Sequence, residues 1–168
     1  WDSNISLGDK AFVCGFGIIG SLLARLLNSI PGVEVVIAEL NPVRRKQAEA
    51  MGFIVKDAIK PDYFDLAFNT SVNESGLQTC IDAVGLEGRV VELSWYGTQP
   101  VTLQLGASFH QKRKMIISSQ VSRIPANRAI RWTYRRRKEA VFELLTDEAF
   151  DQHLTHCIPF EQTPAFFF

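Results

Sequence analysis

The chain has 168 residues, of which 46% are hydrophobic and 21% charged, the profile of a folded protein with one sizeable core. Lys plus Arg and Asp plus Glu number 18 each, so no net charge draws the chain toward nucleic acid or an acidic membrane surface. No apolar run approaches the ~20 residues that span a bilayer, and residues 1–10 lack the basic start and apolar stretch of a secretory signal. The chain opens on Trp1 and closes on Phe166, Phe167 and Phe168, which leads us to expect a piece of a longer protein. Cys14, Cys80 and Cys157 are odd in number, widely spaced and set among apolar residues, the pattern of reduced thiols in a cytoplasmic protein.

In chain order, short apolar runs alternate with helical patterns, which argues for crossover units around a parallel sheet. Residues 11–14 read as a strand. Ile19, Leu22, Leu23, Leu26, Leu27 and Ile30 then fall on one helical face, and Pro31-Gly32 stops that helix. Residues 33–38 are β-branched and nearly continuous, as in a strand buried on both faces. Asn41-Pro42 starts the next helix, with Asn as its cap and Pro at the first helical position, and Gly52 ends it. Short strands are predicted over 53–55 and 64–68. Leu77, Cys80, Ile81 and Val84 mark a third helix ended by Gly85. Strands over 89–94 and 115–118, a helix over 135–145 and a last strand over 154–158 complete the pattern. This predicts a single α/β domain over residues 1–168, Rossmann-type, with a doubly wound, mostly parallel six-stranded sheet and helices on both faces. Ligands of such sheets lie at the carboxyl ends of the strands, near the switch point.

The stretch CGFGIIG supplies the motif G-x-G-x-x-G at that place. Gly15 permits the tight turn out of the first strand, Gly17 lets a pyrophosphate approach the backbone, and Gly20 lets the helix pack on the strand. The helix that follows offers free N–H groups and the positive end of its dipole to phosphates. Glu39 ends the second strand at the distance where an acid binds the adenosine ribose. Its charge favours NAD over NADP, while Arg44 and Arg45 offer pairing for a 2′-phosphate. The plainer alternative is a structural turn followed by an exposed acid. A rival ligand is S-adenosylmethionine; methyltransferases usually carry an acid two positions before the first glycine, where this chain has Val13.

With these residues in view, LGDKAFVCGFGIIGSLLARLL, VVIAELNPVRRKQAEAMGF, GRVVELSWYG and HLTHCIPFEQTPAFFF resemble the medium-chain, zinc-type alcohol dehydrogenase superfamily over nearly the whole chain. VELSWYG followed by FHQKRKMIISSQ resembles its threonine dehydrogenase-like, zinc-binding branch. The resemblance implies a two-domain enzyme that passes hydride between an alcohol or carbonyl and NAD, with NADP also possible. It places zinc and the catalytic residues in an N-terminal GroES-like domain with no counterpart here, so no catalytic or metal residue is carried over. For the cofactor it implies contacts from Gly15, Phe16, Gly17, Ile18, Ile19 and Gly20 in the pyrophosphate loop and from Glu39 at the ribose. Leu40 would lie at the adenine, Arg44 near the ribose, and Asn69 and Thr70 at the end of the fourth strand. Ser94, Trp95, Met115 and Ile117 would meet the nicotinamide through backbone groups. It implies a homodimer through sheet edges, for which MIISSQ is a suitable edge strand. A stand-alone NAD-binding sensor module is the alternative function, and a methyltransferase domain the next.

Other features have plainer readings. His153, His156 and Cys157 resemble metal ligands by type, but adjacent His156 and Cys157 point to opposite faces of a strand, so we expect no metal. The basic run over 131–138 is followed by Glu139, Glu143, Asp147 and Glu148, and reads as a solvated helix face rather than a nucleic-acid patch. Glu92, inside an apolar run, calls for a nearby sheet edge or a basic partner such as Arg89 or Lys112. Trp95 and Tyr96 suit either the nicotinamide side of a cleft or a core strand end.

Overall fold

A computed structural model describes residues 1–154 and 156–167. The chain divides into two compact units, Trp1–Ile130 and Arg131–Phe168. In the first, strands and helices alternate: β1 (Lys10–Cys14), α1 (Ile18–Asn28), β2 (Glu34–Ala38), α2 (Pro42–Ala50), β3 (Ile54–Val55), β4 (Phe64–Asn69), α3 (Glu74–Ala83), β5 (Val84–Glu92), α4 (Ser108–Gln111), β6 (Met115–Ser118) and α5 (Ala126–Ala129). The strands form one sheet in the order β3-β2-β1-β4-β5-β6, and all neighbours are parallel. The chain leaves β1 in one direction and resumes at β4 in the other, so a crevice opens between the ends of Cys14 and Asn69, which face each other in register.

After their first residues, Lys10 and Glu34, β1 and β2 are apolar without a break because both faces are covered. Ala11, Val13, Val35, Ile37, Leu66 and Phe68 form one core with Ala24 and Leu27 of α1 and Ala48 of α2. Phe12, Cys14, Val36, Ala67 and Val90 form the other with Leu77, Cys80 and Ile81 of α3. This two-residue alternation is what the pleat requires. α2 is capped by Asn41, whose Oδ1 accepts from the N–H groups of Val43 at 2.9 Å and Arg44 at 3.2 Å.

Two elements differ from the sequence expectation. The buried stripe of α1 is Gly20, Ser21, Ala24 and Leu27, while Ile19 is 53% exposed. Small residues face the sheet because the helix comes close to it: a Cβ on Gly20 would overlap the Gly15 carbonyl oxygen. Leu23, Leu26 and Ile30 instead line a groove of about 260 Å³ with Trp1, Ile5 and Leu93. The second difference is at Gly85, which does not end α3. β5 follows directly: Val84 pairs with Phe64, residues 85–88 loop out, and Arg89 resumes pairing opposite Leu66. Glu87 turns there at φ +56°, and a Cβ on Gly88 would lie 2.7 Å from the Val84 Cβ, so this bulge is closed on itself.

At the amino end of the sheet a buried charge is fully partnered. The Lys114 side chain has no exposure; its ammonium donates to the Ile81 carbonyl at 2.8 Å and pairs with Asp62 at 2.9 Å, while Lys112 pairs with the other Asp62 oxygen at 2.6 Å. The second unit holds α6 (Tyr134–Leu144), 3₁₀ turns over Glu148–His153 and Phe160–Gln162, and α7 (Thr163–Phe167). The strand expected over 154–158 is absent at 154 and 156–158, and 155 lies outside the described residues. The preceding 3₁₀ turn and Pro159 leave it too little extended chain. His153 packs against Phe150 and His156 against Phe166, and Cys157 is exposed rather than set in an apolar shell. The basic run is occupied within this unit: Arg136 lies 4.2 Å from the Trp132 ring centroid, Arg137 5.2 Å from that of Tyr134, and Arg135 pairs with Glu139 at 2.8 Å.

Candidate functional site: a cleft at the carboxyl ends of the strands

Each glycine of the loop after β1 has its own constraint. Gly15 turns at φ +98°, its N–H donates to the Ala38 carbonyl at 2.8 Å, and a Cβ there would lie 2.9 Å from the Thr70 hydroxyl oxygen. Gly20 is the contact of α1 with this turn. Gly17 caps α1 without a side chain, at φ −74°, and a Cβ added to it would meet nothing nearer than the Arg44 Nη1 at 4.0 Å. No side chain caps the first N–H groups of α1, and the space beside Gly17 is open. Thr70 closes the floor, its hydroxyl donating toward the Cys14 and Gly15 carbonyls at 3.0 and 3.1 Å.

Glu39 directly follows β2 and is 9% exposed. One carboxylate oxygen accepts the Phe16 N–H at 2.7 Å and the other accepts the Asn41 N–H at 2.7 Å. Sequence reasoning assigned this acid to a ligand; the structure shows that it also pins the glycine loop to the start of α2. Each oxygen keeps a second lone pair. The two candidate cations are separated. Arg45 pairs with Asp57 at 2.7 Å and donates to the Glu39 carbonyl at 3.0 Å, whereas Arg44 lines the open space beside Gly17.

That space is a cleft of about 340 Å³. Of the predicted residues it brings together Gly15, Gly17, Glu39, Leu40, Arg44 and Thr70, and Leu40 is 97% exposed at its mouth. It adds Asp57, Ile59, Ser71, Asn73, Ser75, Gly76 and Thr79, which sequence reasoning missed. Asn73 was the one with a legible signal: it caps α3, accepting the Ser75 N–H at 2.8 Å.

The remaining predicted residues lie elsewhere. The Phe16 side chain is in the core, in edge contact with Phe53 at 5.7 Å, so only its backbone borders the loop. Ile18 and Ile19 are exposed on the first turn of α1. Met115 is misplaced by the sequence expectation: it begins β6 in register with Arg89, Leu66 and Ala11, at the far end of the sheet from the glycine loop. Ser118 is the β6 residue level with Cys14, and Ile117 lies one position before it. Trp95 is 84% exposed.

Asn69 and Ser94 belong to a polar network beside the cleft. Asn69, with no exposure, donates to the Glu92 carboxylate and the Tyr96 hydroxyl, both at 2.8 Å, and its Oδ1 accepts the Ser71 hydroxyl at 2.7 Å. Glu92 also accepts the Ser94 N–H at 2.6 Å and the Tyr96 hydroxyl at 3.2 Å. The basic partner expected for Glu92 is thus replaced by neutral donors, and Lys112 serves Asp62 instead. β5 lies between β4 and β6, so no sheet edge relieves this carboxylate either. Burial and the Glu92 charge push the Tyr96 phenol up to about 12.

No family model matches the chain. A segment is 38% identical over 60 residues to (R,R)-butanediol dehydrogenase of Bacillus subtilis, covering 36% of this chain and 17% of that protein. L-idonate 5-dehydrogenase (NAD(P)(+)) of Escherichia coli is 24% identical over 138 residues, covering 74% of this chain and 39% of its own length. Its relatives are zinc-type, medium-chain alcohol dehydrogenases. The chain spans less than half the length of the dehydrogenases it matches. The fold agrees: acetophenone reductase from Geotrichum candidum, solved in complex with NAD, superposes with a TM-score of 0.68 at 18% identity, covering 88% of this chain and 41% of that one. Among the described residues no group of three or more His, Cys, Asp and Glu could hold a metal ion, and no helix is long and apolar enough to cross a membrane.

Proposed function

We infer that the first unit binds NAD or NADP in this cleft and serves as the cofactor domain of a zinc-type dehydrogenase acting on a small alcohol or carbonyl compound. The observation that carries this is the convergence of Gly17, Glu39 and Arg44 on one open space at the carboxyl ends of parallel strands. The residues fit the group. The missing Cβ of Gly17 and the uncapped N–H groups of α1 suit a pyrophosphate. The spare lone pairs of Glu39 suit ribose hydroxyls, and the exposed Leu40 side chain suits an adenine face. Arg44 supplies a positive charge beside the phosphates. The cofactor, when bound, supplies hydride exchange with a substrate carbon. This chain's part is to hold the adenosine half at Glu39 and direct the other half over the ends of β4, β5 and β6, where Asn69, Ser94 and Ser118 stand. Zinc, if the parent protein follows its relatives, is held outside this chain. We also propose that β6, the outer strand, pairs with its counterpart in a second copy; sedimentation showing monomer at high concentration contradicts this.

Calorimetric titration of the chain with NADH, NADPH and S-adenosylmethionine tests the reading. Binding of NADH or NADPH, weakened by Gly17→Ala, supports it. Binding of S-adenosylmethionine alone replaces it with a methyltransferase domain.

A further inference from the structure

Two thiols in this region have no part in the cofactor reading. Cys14 ends β1 on the α3 side, 9% exposed, with its side chain on the floor of the cleft. Cys80 lies in α3 with no exposure. The two belong to one buried cluster, and Ser71 lines the cleft together with Cys14. Gly76, one turn before Cys80, is packed so closely that a Cβ there would overlap the Ser71 hydroxyl and lie 3.1 Å from the Cys14 sulfur. Cys80 lies one turn further on the same face of α3, where side chains lean back toward the preceding turn, so the two sulfurs are neighbours and only Cys14 lines the cleft. The neighbouring Cys80 thiol holds the Cys14 thiol below its usual range against the opposing push of burial, while burial pushes Cys80 well up. A reachable sulfur that gives up its proton more readily, with a second thiol behind it, is the arrangement of an attacking and a resolving cysteine. Cys157 is exposed and falls in the other unit.

We propose that Cys14 and Cys80 form a peroxide-oxidisable dithiol in the floor of the cleft, and that an occupant of the cleft shields it. The shielding rests on the cofactor reading; the dithiol does not. The Cys14 thiolate attacks one oxygen of the peroxide. The O–O bond breaks, an S–OH group forms, and the departing hydroxide takes a proton to become water. Cys80 then gives up its proton and its sulfur displaces hydroxide from S–OH, forming the S–S bond and a second water. The sulfurs lose two electrons and the peroxide gains them.

The test uses the full 168-residue chain carrying Cys157→Ser. It is treated with hydrogen peroxide, alone or with NADH, and read by mass spectrometry without reduction; calorimetry on the same sample measures NADH binding. The chain alone should lose about 2 Da and give a Cys14–Cys80 cross-linked peptide. Cys80→Ala should abolish the cross-link and leave a sulfenic acid on Cys14 that a 1,3-dione captures. NADH at about 100 times its Kd should slow cross-linking by up to about 100-fold. Absence of the cross-link, whether Cys14 is untouched or over-oxidised, overturns the dithiol. Cross-linking at an undiminished rate with NADH shown to be bound overturns its place in the cleft. If calorimetry shows no NADH binding, the cofactor reading fails, and the dithiol stands or falls on the ligand-free result.

Discussion

Gly17 and Gly20 belong to one motif but answer to different constraints, so they separate ligand binding from folding. A methyl group on Gly17 enters open space beside Arg44, whereas one on Gly20 collides with the Gly15 backbone. Gly17→Ala should leave the melting temperature nearly unchanged and weaken dinucleotide binding about tenfold or more, equivalent to about 1.4 kcal/mol. Gly20→Ala should cost about 3 kcal/mol of stability or prevent folding, because rigid backbone has to move. Glu39→Ala is a less clean probe. It strips the buried Phe16 N–H of its acceptor and should cost about 1–3 kcal/mol before any ligand is added. Tyr96 offers a test of the polar network. Its raised phenol stays neutral through the range near pH 10 where an ordinary tyrosine ionises. In an ultraviolet titration, the difference between the chain and Tyr96→Phe should therefore titrate near pH 12, and Glu92→Gln should bring that midpoint down. A midpoint near pH 10 in the parent chain would show that the network is open to water.

At the scale of elements, what was legible followed from local rules. Asn41-Pro42 announced the start of α2, and the β-branched run announced β2, because capping and double-sided burial act on adjacent residues. The motif and Glu39 located the cleft for the same reason. What escaped depended on neighbours distant in sequence. The large residues of α1 look like its core face, yet the approach of the helix to the Gly15 turn selects Gly20 and Ala24 for burial. Met115 was placed at the site because strand identity was readable while register was not; only pairing with Arg89 shows that it lies at the other end. Glu92 looked in need of a cation because Asn69, Ser94 and Tyr96 could not be seen to converge on it. The Asp62–Lys114 pair, which joins the entries to β4 and β6, was likewise invisible. Lys112, then Lys114, hold the Asp62 carboxyl below its ordinary value, so its contribution is complete above about pH 4 and is lost as pH falls through the lowered folded value. Acid unfolding should show this slope, and Asp62→Asn should flatten it. A variant with an unchanged slope would remove Asp62 from the account. Asp62→Ala leaves the buried ammonium only the Ile81 carbonyl and the Ser108 hydroxyl, with no counter-charge, and should cost about 3 kcal/mol, read by denaturant unfolding.

At the scale of the whole molecule, the strand order sets where chemistry can occur. The connections after β1 and β4 leave on opposite faces of the sheet, α1 on one and α3 on the other, and the loops after β1, β2 and β4 supply walls of one cleft. The fold class and the direction of the sheet were readable from alternation alone, while the division into two units was not, because the basic run that begins at Arg131 reads equally well as a helix face of a single domain. The central claim is that this cleft is a dinucleotide site built around Gly17. The measurement that tests it most directly is calorimetric titration of the chain and of Gly17→Ala with NADH, with melting temperatures taken on both samples. The account predicts saturable one-to-one binding to the parent chain, at least about tenfold weaker in the variant, with matched melting temperatures. Equal binding by two equally stable proteins would place the ligand elsewhere and contradict the account.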